Sequence, residues 1–191
     1  MHLAYRHKDE IVVEATIQFS SPWGLMSIST TESGISKIGF LDEPLPSVPL
    51  INQYISPKVR EICNTLDKGC LTIDLAQNLQ NAIDFINGKT GDEDIWISPV
   101  CTDFQFMVYR QLITIPSGST ATYSEVAAAI DRPSAIRAVA SAIAKNPIAV
   151  LVPCHRIVPA SGGIGNYFWG SERKRQLLDY ESYLSRYERR F

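Results

Sequence analysis

No uninterrupted apolar run in this 191-residue chain reaches bilayer-spanning length, and its first ten residues, Met1 to Glu10, have no apolar secretory h-region. A cytoplasmic protein with no membrane partner is the expectation. Histidine is scarce, with three residues at 2, 7 and 155 and no ligand-pair spacing, so no metal site is expected. The four cysteines, at 63, 70, 101 and 154, contain no CxxC pair and are not read as a disulfide framework. Cys63, Cys70 and Cys101 are read as structural or incidental. There is no internal repeat and no low-complexity tract. Gly162-Gly163-Ile164-Gly165 neither follows a strand and opens a helix nor carries a Walker lysine, which argues against a phosphate cradle, and no cofactor is expected.

A net charge of −2 argues against a generic polyanion binder, yet the charge is unevenly spread. Residues 1–100 carry 7 Lys and Arg against 13 Asp and Glu, net −6, whereas residues 101–191 carry 11 against 7, net +4. A basic carboxyl-terminal half is compatible with a nucleic-acid face, although solvated surfaces produce similar splits. With 45% apolar and 20% charged residues, the chain has the composition of one or two small globular domains.

Three β-rich runs, Ile11 to Phe19, Trp23 to Thr30 and Ile35 to Leu41, are separated by turn residues and predict an antiparallel meander. Leu79, Ala82, Ile83 and Ile86 keep helical spacing up to Gly88, a C′ candidate, and Asp92 to Ser98 reads as a further strand. The stretch from Pro44 to Pro57 is the loosest. From Thr102 the chain reads as mostly helical. One helix starts after Thr102 or Asp103 and stops before Pro116, a second spans Tyr123 to Ile130, Asp131-Arg132-Pro133 breaks it, and a third runs from an N-cap at Ser134 to about Lys145. The class expected is α/β (α+β), with domains at 1–95 and 96–191.

The chemistry concentrates in Ile148-Ala149-Val150-Leu151-Val152-Pro153-Cys154-His155-Arg156. The apolar run predicts a core segment, and Pro153 ends it, so Cys154 stands where the chain leaves the core. A thiolate is the nucleophilic form of cysteine, and the adjoining His155 and Arg156 predict a depressed thiol pKa. The competing reading is a small buried hydrophobe followed by a solvated His-Arg pair.

Pro153-Cys154-His155-Arg156-Ile157-Val158 resembles the active-site signature of the O6-alkylguanine-DNA alkyltransferases. Thr122 to Ala127 and Ser134 to Ala140 resemble that family's helix-turn-helix, and Lys145-Asn146-Pro147 its Asn hinge. Gly162 to Gly170 resembles its active-site loop, and Leu177 to Glu181 its glutamate-bearing helix. The likeness covers about residues 102–182 and is weak before them.

The resemblance implies an amino-terminal domain with a three-stranded antiparallel sheet and a helix (ribonuclease-H-like), and a helical, winged-helix-like domain carrying the helix-turn-helix. It implies flipping of an O6-alkylguanine, with O4-alkylthymine a second candidate, out of double-stranded DNA, and stoichiometric transfer of the alkyl group to Cys154. His155 would act as base through a bridging water, Glu181 would orient it, Asn146 would hold the turn, and Tyr123 would donate to the departing guanine. DNA contacts would come from Tyr123, Ser124, Ser134, Ala135, Arg137, Ala138 and Lys145. Arg137 would take the place of the extruded nucleotide, and the small residues of the third helix fit minor-groove docking. Ile157, Tyr167, Phe168 and Trp169 would form the substrate pocket, the last two narrowing it toward methyl groups. Arg156 is expected to brace the turn. A monomer is expected, with cooperative DNA binding left open, in the cytoplasm near the nucleoid or in a nucleus. A base-binding protein without transfer and a Cys-His hydrolase are the alternatives.

Overall fold

The computed structural model describes residues 1–3, 15–48, 50–51, 74–89 and 94–188. Cys63, Cys70, His7, the first part of the Ile11 run and much of the 44–57 stretch lie outside the described residues. The chain divides into two compact units, one of Met1–Thr102 with Pro147–Leu151, the other of Asp103–Asn146 with Val152–Phe191.

The first unit is built on a meander of β2 (Ala15–Ser21), β3 (Gly24–Thr31) and β4 (Gly34–Phe40), all antiparallel. Its apolar residues Ile17, Phe19, Met26, Ile28, Ile35 and Ile38 are each no more than 1% exposed, so the sheet has a fully covered face. The turn at Gly34 requires glycine: φ is +120°, and a Cβ there would stand 2.7 Å from the Trp96 carbonyl oxygen. Two-residue strands widen the sheet to the order β1-β6-β4-β3-β2-β5, with β1 (His2–Leu3), β5 (Leu50–Ile51) and β6 (Trp96–Ile97) adding parallel pairs. The sheet is therefore mixed around the antiparallel core expected.

Helix α1 (Leu75–Ile86) begins at Asp74, whose carboxylate accepts from the Gln77 N–H, and Gly88 follows it at φ 74° as expected for a C′ residue. It buries Leu75, Leu79, Ile83 and Ile86 and packs against β3 and β4. Asn78 ties the helix to β6, donating to the Trp96 carbonyl and accepting from the Trp96 N–H. Because β6 belongs to this sheet, the first unit extends to Thr102, beyond the boundary expected at 95/96.

The apolar segment before Cys154 is buried but is not an extended strand. Ile148 makes a single parallel bridge to Ile38, and Val150 then turns at φ 70°. A left-handed β-branched residue is strained, at a cost of order 1–3 kcal/mol.

The second unit contains α2 (Asp103–Ile113), α3 (Tyr123–Ala129), α4 (Ile136–Ala144) and α5 (Ser171–Glu188). Helix α3 is fixed by a capping box in which Thr122 and Glu125 exchange side-chain and backbone bonds. Its successor starts later than expected: the N-cap of α4 is Ala135, with no side-chain capping bond, and not Ser134. Asp131, at φ 57°, makes the turn between the two helices. Val139, Ala142 and Ile143 are the buried face of α4, and Tyr109 of α2 is fully covered and donates to the Ala142 carbonyl at 3.3 Å.

Candidate functional site

Three local features bring the chemistry-bearing residues together within the second unit. Cys154–Arg156 forms one turn of 3-10 helix, closed by the Ile157 N–H on the Cys154 carbonyl. The chain then becomes β8 (Ile157–Val158), which pairs in parallel with β7 (Ala121–Thr122), the strand entering α3. This pairing sets Tyr123 at the mouth of the cysteine turn. Asn146, just beyond α4, closes the site from another side, donating from Nδ2 to the Val152 carbonyl at 2.8 Å and to Cys154 Sγ at 3.1 Å.

The result is a cavity of about 250 Å³ lined by Tyr123, Ala140, Ile143, Ala144, Asn146, Cys154, Asn166, Tyr167, Phe168 and Trp169. That volume lies near the lower end of the range for small-molecule sites. Phe168 is 77% exposed and meets Trp169 edge to face, with ring centroids 4.8 Å apart. Of the expected pocket residues, Ile157 is placed differently: it is buried in β8, and its carbonyl accepts from Lys174.

Behind the cavity lies a buried knot of charge. His155, fully covered, places Nε2 2.8 Å from Glu181 Oε1. Arg156 donates from Nε and Nη2 to the same carboxylate and from Nη1 to the Ile115 carbonyl, while the Gly118 N–H reaches Glu181 Oε2 at 3.4 Å. Burial opposes ionisation of Glu181, but the hydrogen bonds and charges of His155 and Arg156 prevail and hold its pKa at about 2. An ionised Glu181 only accepts, so the proton of neutral His155 resides on Nε2 and leaves Nδ1 as an acceptor. Nδ1 is buried with no hydrogen-bond partner among the described residues. Burial also pushes the His155 pKa down, keeping the imidazole neutral at physiological pH.

The depressed thiol pKa expected from the Cys-His-Arg sequence is not what the structure has. Burial pushes the Cys154 pKa up, with hydrogen bonds from Asn146 and the charge of Lys174 only partly opposing it. Arg156 does not assist, because its guanidinium is committed to Glu181 and Ile115 and braces the turn. Cys154 is therefore a neutral thiol at neutral pH. The Tyr167 hydroxyl, buried with no hydrogen-bond partner among the described residues, is pushed well above the usual phenol range, chiefly by burial and then by the nearby sulfur. Tyr123 is raised for the same two reasons.

Of the residues expected at DNA, Tyr123 lines the cavity and the others lie on or beside α3 and α4. Ser124, Ser134, Arg137, Ala138 and Lys145 are exposed and Ala135 is partly so, whereas the buried face of α4 points inward. The exposed side of α4 thus carries Ile136 and Arg137 among the small side chains of Ala138, Ser141 and Ala144, with Lys145 just beyond the helix end, a surface that permits close approach.

One residue of the site was not foreseen. Lys174, on α5, is 1% exposed, and it shares the inward stripe of Leu177 and Glu181 at a spacing of i, i+3 and i+7. That spacing was the available signal, since a lysine on an otherwise buried stripe must have polar partners inside.

A thiol lining a small cavity, next to a carboxylate-held histidine in a unit that also holds the α3–α4 helix-turn-helix, defines a cysteine-centred site of the nucleophilic class. Residues 103–183 match the family model described as 6-O-methylguanine DNA methyltransferase, DNA binding domain. A methylated-DNA–protein-cysteine methyltransferase of Methanosarcina mazei is 34% identical over 164 residues, which cover 84% of this chain and 92% of that protein. One from Mycobacterium bovis is 44% identical over 104 residues, covering 52% of this chain and 63% of the relative. The crystal structure of Mycobacterium tuberculosis OGT in complex with DNA superposes with a TM-score of 0.64 at 30% identity, covering 88% of this chain and 93% of that one. The chain belongs to the methylated-DNA–protein-cysteine methyltransferase family.

Proposed function

We propose that this protein repairs DNA by taking the alkyl group of an O6-alkylguanine onto the sulfur of Cys154, once per molecule. The observation that carries the proposal is a cavity-lining thiol followed in the chain by a neutral histidine whose Nε2 is held by Glu181 and whose Nδ1 has no partner among the described residues. With its tautomer fixed, His155 presents Nδ1 as an acceptor to which a bridging water can relay the thiol proton as the sulfur attacks, so the thiolate forms during the reaction and not at rest.

The alkylated oxygen is inaccessible in a stacked duplex, so the base must enter the cavity after extrusion, at a cost of a few kcal/mol. The S–C bond then forms as the C–O6 bond breaks, guanine departs with the electron pair, and the proton given up by the thiol ends on guanine. Tyr123, kept protonated by its raised pKa, is placed at the cavity to donate to the departing base. Asn146 holds the sulfur and the Val152 carbonyl in register. Arg137 fills the space of the extruded nucleotide, and Ser124, Ser134, Ala135, Ala138 and Lys145 line the backbone of double-stranded DNA. A thioether is a poor leaving group, so the protein is consumed. The second unit holds both the DNA surface and the acceptor.

The test is to mix the protein with duplex DNA containing one O6-methylguanine, then measure intact mass and map the modified peptide. One added methyl on the Cys154 peptide, absent in Cys154→Ala, is expected. Tight lesion binding without a mass change would instead indicate a recognition protein, and ester or peptide turnover indifferent to DNA would indicate a hydrolase.

A further inference from the structure

Lysine is rarely buried without a carboxylate partner, because an ammonium withdrawn from water must recover its hydration from fixed dipoles or an opposite charge. Lys174 is 1% exposed, and its Nζ donates to the carbonyls of Ile157 and Asn166. No carboxylate pairs with it among the described residues, and Glu181, on the same stripe of α5, is committed to His155 and Arg156. The two carbonyls belong to two sides of the candidate site. Ile157 follows the cysteine turn directly, and Asn166 begins the wall formed by Tyr167, Phe168 and Trp169. Between them the chain folds back tightly: Gly165 has φ +71°, and a Cβ there would stand 2.7 Å from Pro159.

Resting on the transferase reading above, we propose that Lys174 is a positioning residue for the transfer, fastening the aromatic wall to the cysteine turn and lending the site the positive charge that Arg156 does not supply. The other titratable and polar groups around the cysteine turn bring no uncompensated charge among the described residues. Tyr123 and Tyr167 are phenols held neutral, Asn146 is an amide, His155 is neutral, and Glu181 and Arg156 neutralise each other. Burial lowers the Lys174 pKa and the Cys154 charge raises it, while Lys174 lowers that of the thiol, so each group favours the charged form of the other.

The experiment compares wild-type, Lys174→Met and Lys174→Arg proteins in two assays, iodoacetamide alkylation of the Cys154 peptide against pH and methyl transfer from O6-methylguanine DNA. Lys174→Met is expected to move the alkylation midpoint upward by about one pH unit and to slow transfer about tenfold. Lys174→Arg is expected to restore the alkylation midpoint but not the full transfer rate, because a longer planar fork does not fit the two-carbonyl seat. Unchanged midpoint and rate in Lys174→Met would overturn the proposal. If Lys174→Met does not fold, the 13Cε-lysine NMR titration of wild-type and Cys154→Ser proteins decides: a lower Lys174 midpoint in Cys154→Ser supports the coupling, and an identical one refutes it. The alkylation and NMR readings need no DNA, so a failure of the transferase reading would be seen separately, as absence of methyl transfer by the wild type.

Discussion

Replacing Glu181 by glutamine keeps the side-chain shape and removes one charge from the knot behind the cavity. Arg156, 8% exposed, would then be a buried cation facing neutral groups, and His155 would lose the acceptor that fixes its tautomer. Breaking a buried pair from one side costs about 3–5 kcal/mol. For a chain of 191 residues, roughly 2–4 °C per kcal/mol gives a fall in Tm of about 6–20 °C at neutral pH. The pH dependence follows from the carboxylate. Its folded pKa of about 2 lies below the ordinary value of 4.5, so its contribution is full above pH 4.5 and is lost as pH falls toward 2. That depression corresponds to about 3 kcal/mol. The difference in Tm between wild type and Glu181→Gln should therefore shrink across that window. Both proteins should also weaken below pH 6.5, the ordinary histidine value, because His155 is held neutral by burial. Thermal unfolding followed by circular dichroism from pH 7 to 2 measures all of this. Equal Tm values at neutral pH, or a gap independent of pH, would refute the reasoning.

Further outcomes follow from the same geometry. Asn146→Ala removes the donor to Sγ and to the Val152 carbonyl, so the iodoacetamide pH profile of Cys154 should move upward and Tm should fall by an amount equivalent to about 1–2 kcal/mol; an unmoved profile counts against the hinge. Trp169→Ala combined with Phe168→Ala should raise transfer from O6-benzylguanine relative to O6-methylguanine, and equal rates for the two bases in the wild type would remove the size argument. Arg137→Ala should slow transfer from duplex DNA while leaving iodoacetamide alkylation of Cys154 unchanged, since Arg137 is exposed and does not line the cavity; equal loss in both assays would place it in the thiol site.

Much of the fold was legible because its signals are local. The meander is written in β-rich runs punctuated by Ser21-Pro22 and Glu32-Ser33-Gly34, and α1 in the spacing of Leu79, Ile83 and Ile86 before Gly88. Misreadings arose where distant segments decide. The two-residue strands β1, β5 and β6 gain their identity from neighbours far along the chain. Ser134 carries a capping side chain, yet the helix starts beyond Ala135 without a side-chain capping bond. At the site, the Cys-His-Arg order suggested a cation beside the thiol, but Glu181, 25 residues after Arg156, takes the guanidinium away. Lys174 reads as a surface lysine until its stripe with Leu177 and Glu181 is laid on a helix.

The central claim is a single, irreversible acceptance by one sulfur. A fixed amount of protein should be titrated with increasing duplex O6-methylguanine DNA and the methyl groups on the Cys154 peptide counted at completion. The account predicts a plateau at one methyl per molecule, with repaired guanine appearing in equal number. Repaired guanine exceeding the protein, or methyl groups elsewhere than Cys154, would contradict it.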